Sequence, residues 1–188
     1  MTLPLKPLFV ALAAAALAGP ALAQQVLPAQ SEIAFVSRQM GVPVEGKFRQ
    51  WTAQIAFDPK NAAAGKVGFT IQTGSASFGS PETDAEVPKA PWFNVAKFPT
   101  ASFASSAIKP LGGGRFEVAG TLSIKGSSQP VVVPVTVIQS GAGSTASGSF
   151  TIKRLDFKIG EGEWADTSMV ANDVTVKFKL ALTGMAPL

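Results

Sequence analysis

The sequence predicts an all-β protein, an antiparallel barrel or sandwich interrupted by one short helix. Two stretches carry this reading. Residues 116–138, FEVAGTLSIKGSSQPVVVPVTVI, hold two long period-two runs joined by a polar turn. Residues 174–183 alternate most cleanly, with Val174, Val176, Phe178, Leu180 and Leu182 against Thr175, Lys177, Lys179, Ala181 and Thr183. The helical signal is confined to a few residues after Ser80, too few to build a layer of its own.

The chain has 188 residues, which suits one domain with a substantial core. Charged residues make up 15%, so neither disorder nor a coiled coil is indicated. The net charge of +4 comes from scattered lysines and arginines, and a nucleic-acid partner would need a clustered basic stripe. The chain contains no cysteine, histidine or tyrosine. Disulfides, thiol catalysis and Cys-ligated metals are thereby excluded, and the commonest general base and metal ligand are missing.

Residues 1–23 read as a secretory signal peptide. Lys6 supplies the positive start, residues 8–17 the apolar stretch, and Ala21-Leu22-Ala23 a small-x-small cleavage site. The apolar run is too short to span a bilayer, so no membrane span is expected after cleavage. The domain is then 24–188. Strand alternation begins with Ile33, Phe35 and Ser37 opposite Glu32, Ala34 and Val36, and resumes with Trp51, Ala53, Ile55 and Phe57. Val67, Phe69 and Ile71 form the next apolar face. Ser80 is an N-cap, Pro81 fits the first helical position, Glu82 and Asp84 suit the helix N-terminus, and Pro88 stops it. Ala101, Phe103 and Ser105 resume the strand rhythm.

In the 116–138 hairpin, Phe116, Val118, Gly120, Leu122 and Ile124 share a face, and Gly126-Ser127-Ser128 is the expected turn. On the return, Val131, Val133, Val135 and Val137 share a face. Pro130 and Pro134 belong at a strand start, a bulge or a local edge, because they donate no ladder bond. Gly148, Phe150, Ile152 and Arg154 share the face of a later strand, and a polar loop over 156–166 carries Trp164.

Four stretches, in order, resemble the YceI-like, or polyisoprenoid-binding, family: SEIAFVSRQMGVPVEGKF, PWFNVAKFPTASFAS, FEVAGTLSIKGSSQPVVVPV and IKRLDFKIGEGEW. The resemblance implies a lipocalin-like antiparallel β-barrel of about eight strands with a short helical insertion. It also implies a periplasmic protein holding a long isoprenoid chain, such as an isoprenoid quinone, as ligand rather than as a required cofactor. The chain departs from the family pattern at Gln30 and Gln39, where histidines are expected, and at Lys158, where glycine commonly follows Phe157.

On this reading Phe35, Phe69, Phe103, Leu122, Phe150 and Phe178 line a lumen, with Trp92, Phe93 and Trp164 near its mouth. Plain core packing is the alternative for each of them. A ten-residue strand, 116–125, extends ~34 Å and, tilted by ~40°, leaves a lumen of roughly 25 Å. Arg154 and Asp156, two apart, share a face of an extended strand. They are read either as a polar contact for a ligand head at the mouth or as a rim ion pair, and Arg154→Ala is expected to weaken retention only modestly. Glu161, Glu163 and Asp166 match no EF-hand spacing, so no metal site is expected.

Three functions follow in order of preference. The first is a lipid carrier or store. The second is an accessory protein docking on a membrane b-type cytochrome to deliver or buffer its quinone, which an exposed apolar rim around Trp92-Phe93 would favour. The third is a hydrolase using Asp156 and Glu163, which requires a buried convergent carboxylate pair. Without His or Cys no turnover is expected. A homodimer is compatible with the first two.

Overall fold

The computed structural model describes residues 24–188, so the expected leader lies outside the described residues. Among the described residues eleven strands form one antiparallel sheet. They are β1 (Gln25–Val26), β2 (Glu32–Gln39), β3 (Val42–Phe48), β4 (Trp51–Ala56), β5 (Lys66–Gln72), β6 (Ala76–Ser77), β7 (Thr100–Gly112), β8 (Arg115–Ile124), β9 (Ser127–Ser140), β10 (Gly143–Lys153) and β11 (Asp173–Thr183). The order is β4-β5-β7-β8-β9-β10-β11-β2-β3-β6, with β1 added on β11.

The sheet curls until its ends meet. Gln24 N donates to Ile55 O at 3.0 Å, and Phe57 N donates to Gln24 Oε1 at 2.7 Å, so the chain entering β1 ties β11 to β4. On the far side β3 and β4 are halves of one bent run, broken only at Arg49 and Gln50. Its first half pairs with β2 and its second with β5. With those halves joined and the two-residue β1 and β6 set aside, the barrel reduces to about eight long strands.

Alternation decides the interior. Along β8, Phe116, Val118, Gly120, Leu122 and Ile124 are all buried, while Arg115 and Thr121 are exposed. Along β9, Val133 and Val137 are buried and Val132 and Ile138 face solvent. The prolines sit where the ladder allows them: β10 pairs with β9 only as far as Val135, so Pro130 and Pro134 occupy a local edge. The hairpin turn differs from expectation. Ile124 pairs with Ser127, which leaves Lys125 and Gly126 as a two-residue loop with φ of 48° and 75°. Positive φ at both positions is the turn whose twist matches the flanking strands, so Ser127 and Ser128 belong to β9.

Two rings pack against glycines on neighbouring strands. Phe35 faces Gly46 and Phe178 faces Gly148 in the ladder. A Cβ at Gly46 would collide with the Phe35 ring, and one at Gly148 would meet Phe178 Cζ at 2.6 Å. Folding the rings onto bare backbone keeps them from filling the barrel.

The helix α1 (Pro81–Glu86) starts as expected, Ser80 Oγ accepting from Thr83 N at 3.4 Å. It is anchored to the sheet by Asp84, which accepts from Phe78 N at 2.6 Å and from Ser77 Oγ at 2.9 Å. Among the described residues no helix is long and apolar enough to cross a membrane.

Candidate ligand cavity

A cavity of about 600 Å³ occupies the barrel. Nearly every long strand contributes to its wall, because each turns alternate residues inward. One end is closed. There Phe57 and Phe116 meet edge to face, their centroids 5.0 Å apart at 88°, backed by buried Ile55, Ile108, Leu180 and Leu182. Among the polar lining residues, Ser37 and Gln39 stand at the end of β2 and Glu82, Thr83 and Glu86 on α1, all at the other end, and Arg154 also lines the wall. Gln39 and Glu82 reach solvent, which marks this end as the mouth. The cavity is therefore a largely apolar tube, with Ser37, Gln39, Glu82, Thr83 and Glu86 at one opening and the buried Arg154 in its wall.

Phe35, Phe69, Phe103, Leu122, Phe150 and Phe178 all contribute to the wall, as do Trp92, Phe93 and Trp164. Trp92 and Trp164 pack against each other with centroids 5.4 Å apart. Gln39 lines the mouth, whereas Gln30 lies in an exposed turn outside the cavity.

Arg154 and Asp156 correct the sequence reading. The strand ends at Lys153, and residues Arg154–Phe157 form a 3₁₀ turn, so the two side chains do not share an extended face. Asp156 is exposed and lies outside the cavity lining. Arg154 is 2% exposed. Its Nε donates to Ala171 O at 3.1 Å, its Nη1 to Ile159 O and Gly160 O at 2.8 and 2.9 Å, and its Nη2 to Trp164 O and Val170 O, both at 2.7 Å. All five guanidinium N–H groups thus hold main-chain carbonyls. Arg154 is neither a rim ion pair nor a free head-group contact; it is the post around which residues 154–172 are wound. Burial draws its pKa below the ordinary arginine value, and the guanidinium stays charged.

Lys125 is a second clamp, although alternation continued from Ile124 puts it on the outward, polar face. At the turn its side chain swings inward and is 4% exposed. Nζ donates to Pro91 O at 3.2 Å, Lys158 O at 2.6 Å and Glu161 Oε2 at 2.9 Å. It thereby ties the loop carrying Trp92 and Phe93 to the one carrying Trp164. Gly126 at the second loop position fits this turn, whereas Lys125 adopts the positive φ without the residue type that favours it. Lys158 itself has φ 56°, a left-handed position, which explains why glycine suits it.

Asp156 and Glu163 are both exposed, and neither lines the cavity, so they do not form the buried pair a hydrolase reading requires. The apolar rim also differs from expectation. Trp92 and Phe93 are half-buried in the wall, and the exposed apolar residues beside the mouth are Met40, Val42 and Met169. Met40 N donates to Met169 O at 2.8 Å, which seats the β2–β3 turn against the 166–170 segment.

This fold and cavity define a class. The YceI-like domain model matches residues 25–182, and the chain belongs to the YceI-like family. It is 37% identical over 122 residues to a UPF0312 protein of Enterobacter sp. (strain 638), a match covering 61% of this chain and 62% of that protein. It is 34% identical over 122 residues to Protein YceI of Salmonella arizonae, with the same coverage of 61% and 62%. The chain thus spans a little under two thirds of these relatives. The solved structure of BcnA from Burkholderia cenocepacia superposes with a TM-score of 0.81 at 45% identity, covering 84% of this chain and 99% of that one. A polyisoprenoid binding domain from Saccharophagus degradans, implicated in plant cell wall breakdown, shares the fold at a TM-score of 0.68 and 18% identity, covering 88% and 99%.

Proposed function

We propose that the protein is exported to the periplasm, cleaved after Ala23, and there holds a long-chain polyisoprenoid, an isoprenoid quinone or a similar amphiphile, for transport or storage. One observation carries this reading: a largely apolar tube of about 600 Å³, closed at Phe57 and Phe116, whose one buried cation, Arg154, has its donors already engaged by main-chain carbonyls. Burying each CH₂ contributes on the order of 0.8 kcal/mol, so a long chain supplies affinity without polar contacts. The polyisoprenoid binding named for the Saccharophagus degradans domain supports the same ligand class.

A second reading, docking on a membrane b-type cytochrome to hand over its quinone, is favoured by the exposed Met40, Val42 and Met169 beside the mouth. Blocking the lumen tests the common core of both. Leu122→Trp fills it and Phe150→Asp makes it polar; either should abolish co-purifying lipid while the barrel stays folded. Unchanged lipid in both variants would make these residues core and nothing more.

A further inference from the structure

The β2–β3 turn beside the mouth carries a side chain that neither the turn nor the solvent favours. Gln39 pairs with Val42, so Met40 and Gly41 form a two-residue loop with φ of 47° and 80°. Positive φ at both positions suits Asn, Asp or Gly, and a methionine there is strained. No core contact offsets that strain, since Met40 is 77% exposed and Val42 is 64% exposed. The tip is tied down by its neighbours. Met40 N donates to Met169 O at 2.8 Å, Ala171 N donates to Arg38 O at 2.9 Å, and Gln39 bridges to Val170. These bonds bring Met169, 46% exposed, to the same tip. The apolar surface then runs inward. Phe35, Ser37 and Gln39 line the cavity, and their ladder partners Gly46, Val44 and Val42 share that face of the sheet. Along β3 an apolar strip therefore joins the lumen to the tip.

We propose that this tip inserts into the interfacial layer of a phospholipid bilayer and sets the mouth against it, so that a prenyl chain passes between bilayer and lumen along Val42 and Val44. The passage rests on the lipid-binding reading above; the insertion does not. Size favours a bilayer over a protein as the occupant. A stable protein interface takes about 800 Å² and about 20–30 residues on each side. The apolar tip amounts to Met40, Val42 and Met169, which is enough for a hairpin to enter the ~5–10 Å boundary between headgroups and acyl chains. Charge decides the kind of surface. Arg38 at the base of the tip is exposed and donates Nη1 to Gly41 O at 3.1 Å, which leaves its remaining donors to a lipid phosphate. Around it, Glu82 and Glu86 line the mouth and Asp166 O accepts from Met169 N, so the tip is not set in a basic patch. Docking is therefore driven by apolar insertion and depends little on anionic lipid or on salt.

Met40→Asn combined with Val42→Thr removes the apolar tip, adds no charge, and keeps residue types that suit the positive φ and the strand. The control is Ile138→Thr, at a site 62% exposed near the β9–β10 turn, toward the closed end. The mature protein and both variants would be floated with protein-free vesicles of phosphatidylcholine, alone and mixed with phosphatidylglycerol, at low and high salt. The wild type and Ile138→Thr should float with both vesicle types alike. The double variant should bind about tenfold more weakly, melt no lower, and retain a prenyl quinone loaded into its lumen. Its transfer of that quinone to acceptor vesicles should slow by a similar factor. No flotation of the wild type, undiminished flotation of the double variant, or binding only where phosphatidylglycerol is present would overturn the assignment. Docking on native membrane vesicles but not on protein-free ones would also overturn it and give the tip to a membrane protein. A wild type that floats but takes up no prenyl quinone would overturn the lipid-binding reading and leave the insertion standing.

Discussion

Arg154 Nη2 donates to the carbonyl of Trp164 at 2.7 Å, and through that bond a buried cation fixes an aromatic residue of the cavity wall. The contact is to the main chain, so it sets the position of the loop whatever the indole does. The guanidinium has no carboxylate within ion-pair distance among the described residues, and five carbonyl dipoles stand in for one.

Replacing Arg154 should therefore damage the fold more than a rim residue would. Each buried carbonyl left without a donor costs about 1–3 kcal/mol, so Arg154→Ala should lose at least about 3 kcal/mol in urea unfolding. Arg154→Lys should recover little, because an ammonium cannot reach five carbonyls in a plane. A loss below about 1 kcal/mol for Arg154→Ala would contradict the role.

Lys125 makes a graded prediction. Glu161 is half exposed, so the ion pair itself is weak, and Glu161→Gln should cost no more than about 0.5 kcal/mol. Lys125→Met leaves the Pro91 and Lys158 carbonyls without their ammonium donor and should cost about 1–3 kcal/mol. Gly160 N and Glu161 N also bond Pro91 O, so their amide exchange should quicken in Lys125→Met. Equal effects of the two substitutions would show that the salt bridge, rather than the carbonyl bonds, holds the loops.

Acid should loosen the mouth. The Phe78 N–H holds the Asp84 carboxyl below its ordinary value of 3.8, aided by Ser77 Oγ and by the charge of Arg49, while burial opposes them. A depressed folded pKa contributes stability that is present above about pH 3.8 and is lost as pH falls through the lower folded value. Melting temperatures followed from pH ~5 to ~2 should fall less steeply for Asp84→Asn than for the wild type. Identical slopes would remove Asp84 as the anchor of α1.

The long strands were legible because one face of each is buried, and period-two alternation records burial directly: Phe116 to Ile124 and Val174 to Leu182 needed no other information. The N-cap at Ser80 was legible for the same local reason, since capping is settled within four residues. Arg154 was not legible. Its partners lie at Ile159, Gly160, Trp164, Val170 and Ala171, and extended geometry assigned it a neighbour, Asp156, that the 3₁₀ turn carries away. Lys125 was missed because a positive φ at the turn takes it out of the strand alternation that was used to place it. The aromatic wall could be read as a set, but the mouth at α1 depends on tertiary contacts between Asp84 and the sheet.

The central claim is that the tube is occupied by a long polyisoprenoid chain. Its most direct test is mass spectrometry of an organic extract from the protein purified after export with its own leader. The account predicts a polyisoprenoid, a quinone or a prenyl alcohol, near one per protein molecule, bound to a chain that begins at Gln24. An extract without prenyl lipid, from folded and exported protein, would contradict it.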